Sequence, residues 1–367
     1  MSWILTLLGI VLLIVLHELG HFTVAKAVGM RVERFSLFFP PTIFRIRRGE
    51  TEYAIGSIPA GGYVKITGMN PEELDGLEPE VARRAYYSQP PWKRVLVILA
   101  GPGVNIAIAF VLFWAVLVSG SLDGALRLES LDPSVSTVTP VVHSIESGSP
   151  AQGTLRPGDR IIAVEGSRAS VISTADAVNR HRCAGPLLAG CRAATPVHVT
   201  VKRAGHEVKL AIYPRYSAQA RRMLIGFEFG GTPKPFGPLA AASASLQEMW
   251  HVTTGTITGF GHAITSSKAR HEVSSIVGIT KVAHEEVGAG AGYALVFLGL
   301  ISLVLAVINL FPFLPLDGGH IAWSLAEKVR GRRISLMAMY RYSSVGIVLL
   351  LFLVINGVSN DISRLGG

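Results

Sequence analysis

His17, Glu18 and His21 form a His-Glu-x-x-His array inside an apolar stretch, residues 3–28, that is long enough to cross a bilayer. The spacing puts two imidazoles at i and i+4 on one helical face, where both can ligate zinc. The glutamate stands beside them to take a proton from water. Ionisable side chains at membrane depth are costly, and their presence marks function. The rival reading is a pair of buried histidines satisfied by polar partners. Far along the chain, Asn309-Leu-Phe-Pro-Phe-Leu-Pro-Leu-Asp317-Gly-Gly-His320 follows another apolar run. Its two prolines break the helix and leave a carboxylate on irregular backbone, an arrangement tolerated in a membrane where it lines a cavity or binds an ion. Two histidines and one carboxylate leave a coordination position for water, as a catalytic zinc site requires and a closed four-ligand structural site does not.

The elements that must position these groups are membrane helices. The 367 residues are 49% hydrophobic and 16% charged, with a mean hydropathy of +0.43, on the membrane side of ordinary globular usage. Four windows are long and apolar enough to span: 3–28, 95–117, 293–310 and 340–358. The net charge of +9 brings no run of like charge and no basic-aromatic module, which speaks against nucleic acid as a partner. Membrane topology accounts for part of the excess. Residues 29–94 hold ten Lys and Arg, and the loop after the third span holds Lys328, Arg330, Arg332 and Arg333. The positive-inside rule makes these two loops cytoplasmic, with both termini and the long segment between the second and third spans outside. The His-Glu-His array and Asp317 then fall at similar depth. No positive n-region precedes the first apolar run, so it is read as a retained span and not a signal peptide.

Cys183 and Cys191 are the only cysteines, and both lie in the outside segment. They form either a disulfide closing a small loop or two free thiols, and neither has metal-type spacing. Residues 29–94 alternate in strand-like fashion and pass through Gly61-Gly62-Tyr63-Val64-Lys65. They are read as a small β-structure at the cytoplasmic face, which either offers a strand edge to an unwound peptide or only packs the loop down. Ala100-Gly101-Pro102-Gly103-Val104-Asn105 in the second span permits close helix approach, with Asn105 either satisfying freed backbone or contacting substrate. Within 125–215, Val141 to Pro150 leads to Leu155-Arg-Pro-Gly-Asp-Arg-Ile-Ile-Ala-Val-Glu-Gly166, which resembles a bacterial-type PDZ domain. No Gly-apolar-Gly-apolar carboxylate loop precedes Val141. Residues 238–268 read as amphipathic helix.

These motifs together resemble the site-2 protease family of intramembrane zinc metalloproteases, in the bacterial group with a single PDZ domain that cleaves anti-sigma factors. The fold this implies is an α-helical membrane protein with four transmembrane helices, a membrane-associated β-hairpin and an extracytoplasmic PDZ-like α+β domain. Its divisions are 1–28, 29–94, 95–117, 125–215, a helical linker at 216–292, 293–317 and 340–358. The resemblance implies Zn2+ held by His17, His21 and Asp317, with Glu18 as general base. It places Asn309, Gly61, Gly62 and Asn105 near substrate, and His320 as a neighbour supporting the site without ligating. The implied partners are single-span membrane proteins such as anti-sigma factors, in the bilayer of a bacterial inner membrane, with the site toward the cytoplasm and the outside domain controlling access. The other readings are clearance of remnant signal peptides, an inactive PDZ-bearing adaptor, and a metal permease; the last lacks visible inverted repeats.

Overall fold

A computed structural model of the chain describes residues 2–131, 141–169, 171–218, 222–230, 235–266, 276–313, 315–332 and 334–365. A proline-free apolar run gives helix α1, Ser2–Ala27, closed by Lys26 in its last turn, where a cation suits the helix dipole. Two long strands follow, β1 (Val32–Arg48) and β2 (Thr51–Ile66). Their register is doubled: Phe35 pairs with both Tyr53 and Val64, and Leu37 with both Ile55 and Gly62. The strands therefore wrap into a four-segment sheet in the order 62–66, 32–37, 52–55, 44–48, which leaves 62–66 as an edge. Glu50 at the tip ties this sheet down, accepting hydrogen bonds from Lys26 Nζ (2.8 Å) and from both terminal nitrogens of Arg84 (2.8 Å each).

The short helix α2 (Pro79–Arg83) leads to α3, Pro91–Ser119, which continues through Pro102. Helix α4 is Leu122–Leu131. The soluble segment contributes β3 (Val141–Ile145), β4 (Arg160–Val164), β5 (Ser167–Arg168), α5 (Val171–Arg180), β6 (Val197–Arg203), β7 (His206–Ile212), β8 (Arg215–Ser217), β9 (Arg222–Leu224) and β10 (Phe227–Gly230). Helices α6 (Pro238–Thr265), α7 (Ile276–Ala289), α8 (Ala291–Asn309), α9 (Asp317–Arg330) and α10 (Leu336–Leu365) complete the chain. Among the described residues, four helical stretches are long and apolar enough to cross a membrane: Leu7–Ala27, Pro91–Ser119, Ala291–Asn309 and Met337–Ser363. The chain is thus a mostly helical membrane protein with antiparallel sheets in an α+β domain, the fold class expected from sequence.

Two compact units result, one of Met1–Leu112, Met249–Ala289 and Phe297–Gly367, the other of Phe113–Glu248 and Gly290–Val296. The second holds a sheet in the order β10-β3-β4-β6-β7, closed over Val142, Leu155, Ile161, Val199, Val201 and Ile212. This sheet extends past residue 215 to Gly230, because β10 returns to pair with β3. Leu224-Ile225-Gly226-Phe227 enters β10, an edge strand, and with α5 borders a cavity of about 160 Å3 lined by Thr174, Ala175, Val178, Met223, Ile225 and Phe229. This glycine loop thus precedes the strand that pairs with β3, at the far end of the domain's sequence from the segment before β3. Cys183 and Cys191 are disulfide-bonded.

Asp159, nearly fully buried, accepts from Arg203 Nε (2.8 Å) and Nη2 (2.6 Å) and from the Arg156 amide (2.9 Å). The Arg203 fork holds its carboxyl below the ordinary value of 3.8. A depressed carboxyl stabilises the fold above that ordinary value, and the contribution is lost as pH falls through the lower folded value. Asp159→Asn is expected to cost about 2 kcal/mol at neutral pH. It should also flatten the acid-side decline of β4 amide protection, measured by hydrogen exchange on the full chain at pH 3 and pH 6; unchanged protection at both would exclude this account.

Candidate metal centre

His17 and His21 lie one turn apart on α1, both buried, with ring centroids 4.9 Å apart. Their Nε2 atoms are separated by 3.3 Å, and Asp317 Oδ2 at the start of α9 is 3.3 Å from each. Donors bound tetrahedrally to zinc at about 2.0–2.1 Å stand roughly 3.3–3.4 Å from one another, so the triangle matches that ion. Asp317 Oδ2 is buried and meets no donor at hydrogen-bond geometry, which fits an atom placed for a metal. Among the described residues this is the one group of three or more His, Cys, Asp or Glu side chains able to hold a metal ion.

Orientation comes from the neighbouring helix. His21 Nδ1 lies 2.9 Å from the Val97 carbonyl on α3 and donates to it, which turns the Nε2 lone pair toward the other ligands. Such an approach needs a helix face without side-chain bulk. A Cβ on Gly101 would collide with the His21 ring. Asn309, the last residue of α8, places Nδ2 at 3.5 Å from His17 Nε2.

The ligand atoms open into a cavity of about 650 Å3. Glu18, Gly61, Gly62, Tyr63, Val64, Asn309 and His320 line it together with His17, His21 and Asp317. Gly62 presses on the glutamate, since a Cβ there would sit 2.8 Å from Glu18 Cγ. The edge strand 62–66 thereby runs beside Glu18. Asn105 is placed elsewhere. It is fully buried, its carbonyl accepting from Ser302 Oγ at 2.9 Å, and it is not among the cavity-lining residues. Sequence reasoning missed Val97, whose part is played by a backbone oxygen that its residue type does not signal; Tyr63 of the Gly-Gly-Tyr segment lines the cavity and stacks on Phe39 at 5.9 Å.

A His-Glu-x-x-His helix completed by a distant carboxylate, built on membrane-spanning helices, defines a membrane metallopeptidase. The family described as Peptidase family M50 matches residues 5–353, and the chain belongs to that family. Zinc metalloprotease Rip1 of Mycobacterium tuberculosis is 32% identical over 89% of this chain and 86% of its own length, and Rip1 of Mycobacterium bovis matches to the same extent. A protein of Xylella fastidiosa is 27% identical over 95% of this chain and 96% of its own length. The chain is accordingly a zinc metalloprotease of the membrane.

Gly101→Ala is expected to push the His21 ring off its Val97 contact and to lower zinc per polypeptide at least about tenfold, the scale seen when a ligand's orienting partner is lost. Metal analysis of the purified full-length variant checks this; wild-type zinc content would sink the packing account.

Proposed function

We propose that the enzyme hydrolyses peptide bonds within the transmembrane segments of single-span membrane proteins, anti-sigma factors among them, at a site toward the cytoplasmic face. The observation that carries this reading is the adjacency of Glu18 and the candidate ligand triad to 62–66, which among the described residues is a sheet edge with no further strand partner. A helix hides its carbonyls in its own hydrogen bonds, so a transmembrane substrate must unwind before attack. An exposed strand edge can accept the opened segment by main-chain pairing and lay it across the cavity.

His17, His21 and Asp317 would hold the zinc. When bound it supplies Lewis acidity toward the scissile carbonyl and lowers the pKa of attacking water toward about 7. Glu18 takes the proton as the water oxygen bonds to the carbonyl carbon, and gives it to the amine nitrogen as the C–N bond breaks. Asn309 offers an amide donor beside His17, suited to a substrate carbonyl. The cytoplasmic placement rests on the basic loops, and the outside placement of the α+β unit also on its disulfide, since such bonds persist in oxidising compartments.

With a single-span substrate, Glu18→Gln should retain most of the zinc and lose cleavage by about 10²-fold or more, whereas Asp317→Ala or His21→Ala should lose zinc as well. A Glu18→Gln enzyme cleaving at the wild-type rate would refute the assignment. For orientation, a cysteine introduced at Arg332 should resist an impermeant thiol reagent in intact cells while Cys183 and Cys191 label after reduction. The reverse pattern inverts the topology.

A further inference from the structure

Asp317 is one of the three candidate ligands, and its backbone is held on one side only by the close packing of Gly318 on the Leu310 and Phe311 carbonyls. It is the first residue of α9, Leu316 before it provides no side-chain cap, and two prolines separate it from the end of α8. Beyond that backbone contact, its distance to the histidines depends on what holds the rest of α9. A buried polar stripe runs along that helix. Asp317, His320, Ser324 and Glu327 fall within about 80° of one another at 100° per residue. At the far end, Arg94 of α3 meets Glu327 at 2.8 Å, with both side chains only 6% exposed. Glu327 Oε1 also accepts from the Ile334 amide at 3.2 Å, so the carboxylate is held on two sides.

Arg94 is packed as well as paired. Its guanidinium carbon lies 5.2 Å from the Tyr87 ring centre and 5.9 Å from that of Tyr86, and Tyr86 in turn meets His320 edge-to-face at 6.2 Å. Two points of α9 are thereby braced against residues 86–94. The same stretch of α3 governs the other half of the site, because Val97, three residues beyond Arg94, is the acceptor that orients His21. Both halves of the ligand triangle take their placement from adjacent turns of one helix.

We propose that Arg94 and Glu327 are positioning residues that set the depth and rotation of α9, and hence the Asp317 carboxylate against His17 and His21. A buried pair of this kind is a poor source of net stability, because desolvating two charges offsets their attraction, and its value lies in the single geometry that it enforces. The planar guanidinium suits that role, since one nitrogen meets the carboxylate while its face packs near the Tyr86 and Tyr87 rings, which fixes direction as well as distance.

The test uses the full-length protein in detergent, with Co2+ as the probe, reading its dissociation constant and visible absorption alongside the thermal midpoint of the metal-free protein. Arg94→Gln combined with Glu327→Gln keeps the volume and leaves no lone buried charge. It is expected to weaken Co2+ binding about tenfold or more and to alter the spectrum, the scale typical of lost outer-shell support. In an Asp317→Asn background the same pair of changes should alter affinity less than about twofold, because the ligand being positioned is gone. Wild-type affinity with only a lowered midpoint would show a plain structural brace and overturn the proposal. An equal loss with and without Asp317 would overturn it too. Should the double variant not fold, Arg94→Lys, which keeps the charge and loses the planar guanidinium, goes through the same cycle with the same readings. The inference rests on Asp317 as a ligand; if Asp317→Asn alone leaves Co2+ affinity unchanged, that assignment fails independently of Arg94.

Discussion

The hydrogen bond from His21 Nδ1 to the Val97 carbonyl is the contact on which the site hangs. It selects the tautomer that leaves Nε2 free, and it exists only because α1 and α3 come within reach of a backbone oxygen. Gly101 makes that approach possible by leaving room for the imidazole ring. In lipid there is no hydrophobic gain from pressing two apolar helices together, so close contact must come from small residues and polar partners. The Ala-Gly-Pro stretch of α3 meets that condition where the histidine needs it.

A second constraint follows from the irregular end of α8. A carboxylate on the first residue of α9 is released from the regular spacing of α8 and can be brought to the histidines from outside α1. That freedom leaves its position to be settled by packing. Charged and aromatic groups do so here at a distance from the ligands: Arg94, Glu327, Tyr86 and Tyr87 are all buried, which makes the bracing rigid and intolerant of single truncation. The open coordination position is thus surrounded by a framework with few alternative arrangements.

Much of the site was legible because its parts are side chains with fixed spacing. The i, i+4 histidines, the intervening glutamate and the Asp-Gly-Gly after two prolines each carry their chemistry in residue type, and the four apolar runs state where helices cross. What was not legible depends on pairing between distant segments. The doubled register of β1 with β2, which makes 62–66 an edge, has no local signature, since Phe35 must find both Tyr53 and Val64. The glycine loop Leu224-Ile225-Gly226-Phe227 likewise has no local signature, because its strand pairs with β3 across more than eighty residues of chain. Asn105 is the opposite case: an amide in a span is open to either substrate contact or helix packing from its residue type alone, and in the structure it is buried with its backbone carbonyl held by Ser302.

The cavity also bears on what limits the reaction. At about 650 Å3 it is large enough to hold water beside the candidate ligand atoms. Its walls mix polar groups with Ile14, Ile98, Leu305 and Leu316, a lining suited to an extended apolar segment passing a small polar centre. Neither feature discriminates strongly among apolar side chains, where one methylene more or less is worth only about 1–3 kcal/mol. For the transmembrane substrate proposed above, breaking its helix would cost several hydrogen bonds at once in a medium that cannot replace them. On that proposal, selection among substrates follows how readily a membrane segment unwinds, and helix-weakening Gly or Pro near the cut counts for more than the identity of the residues flanking it.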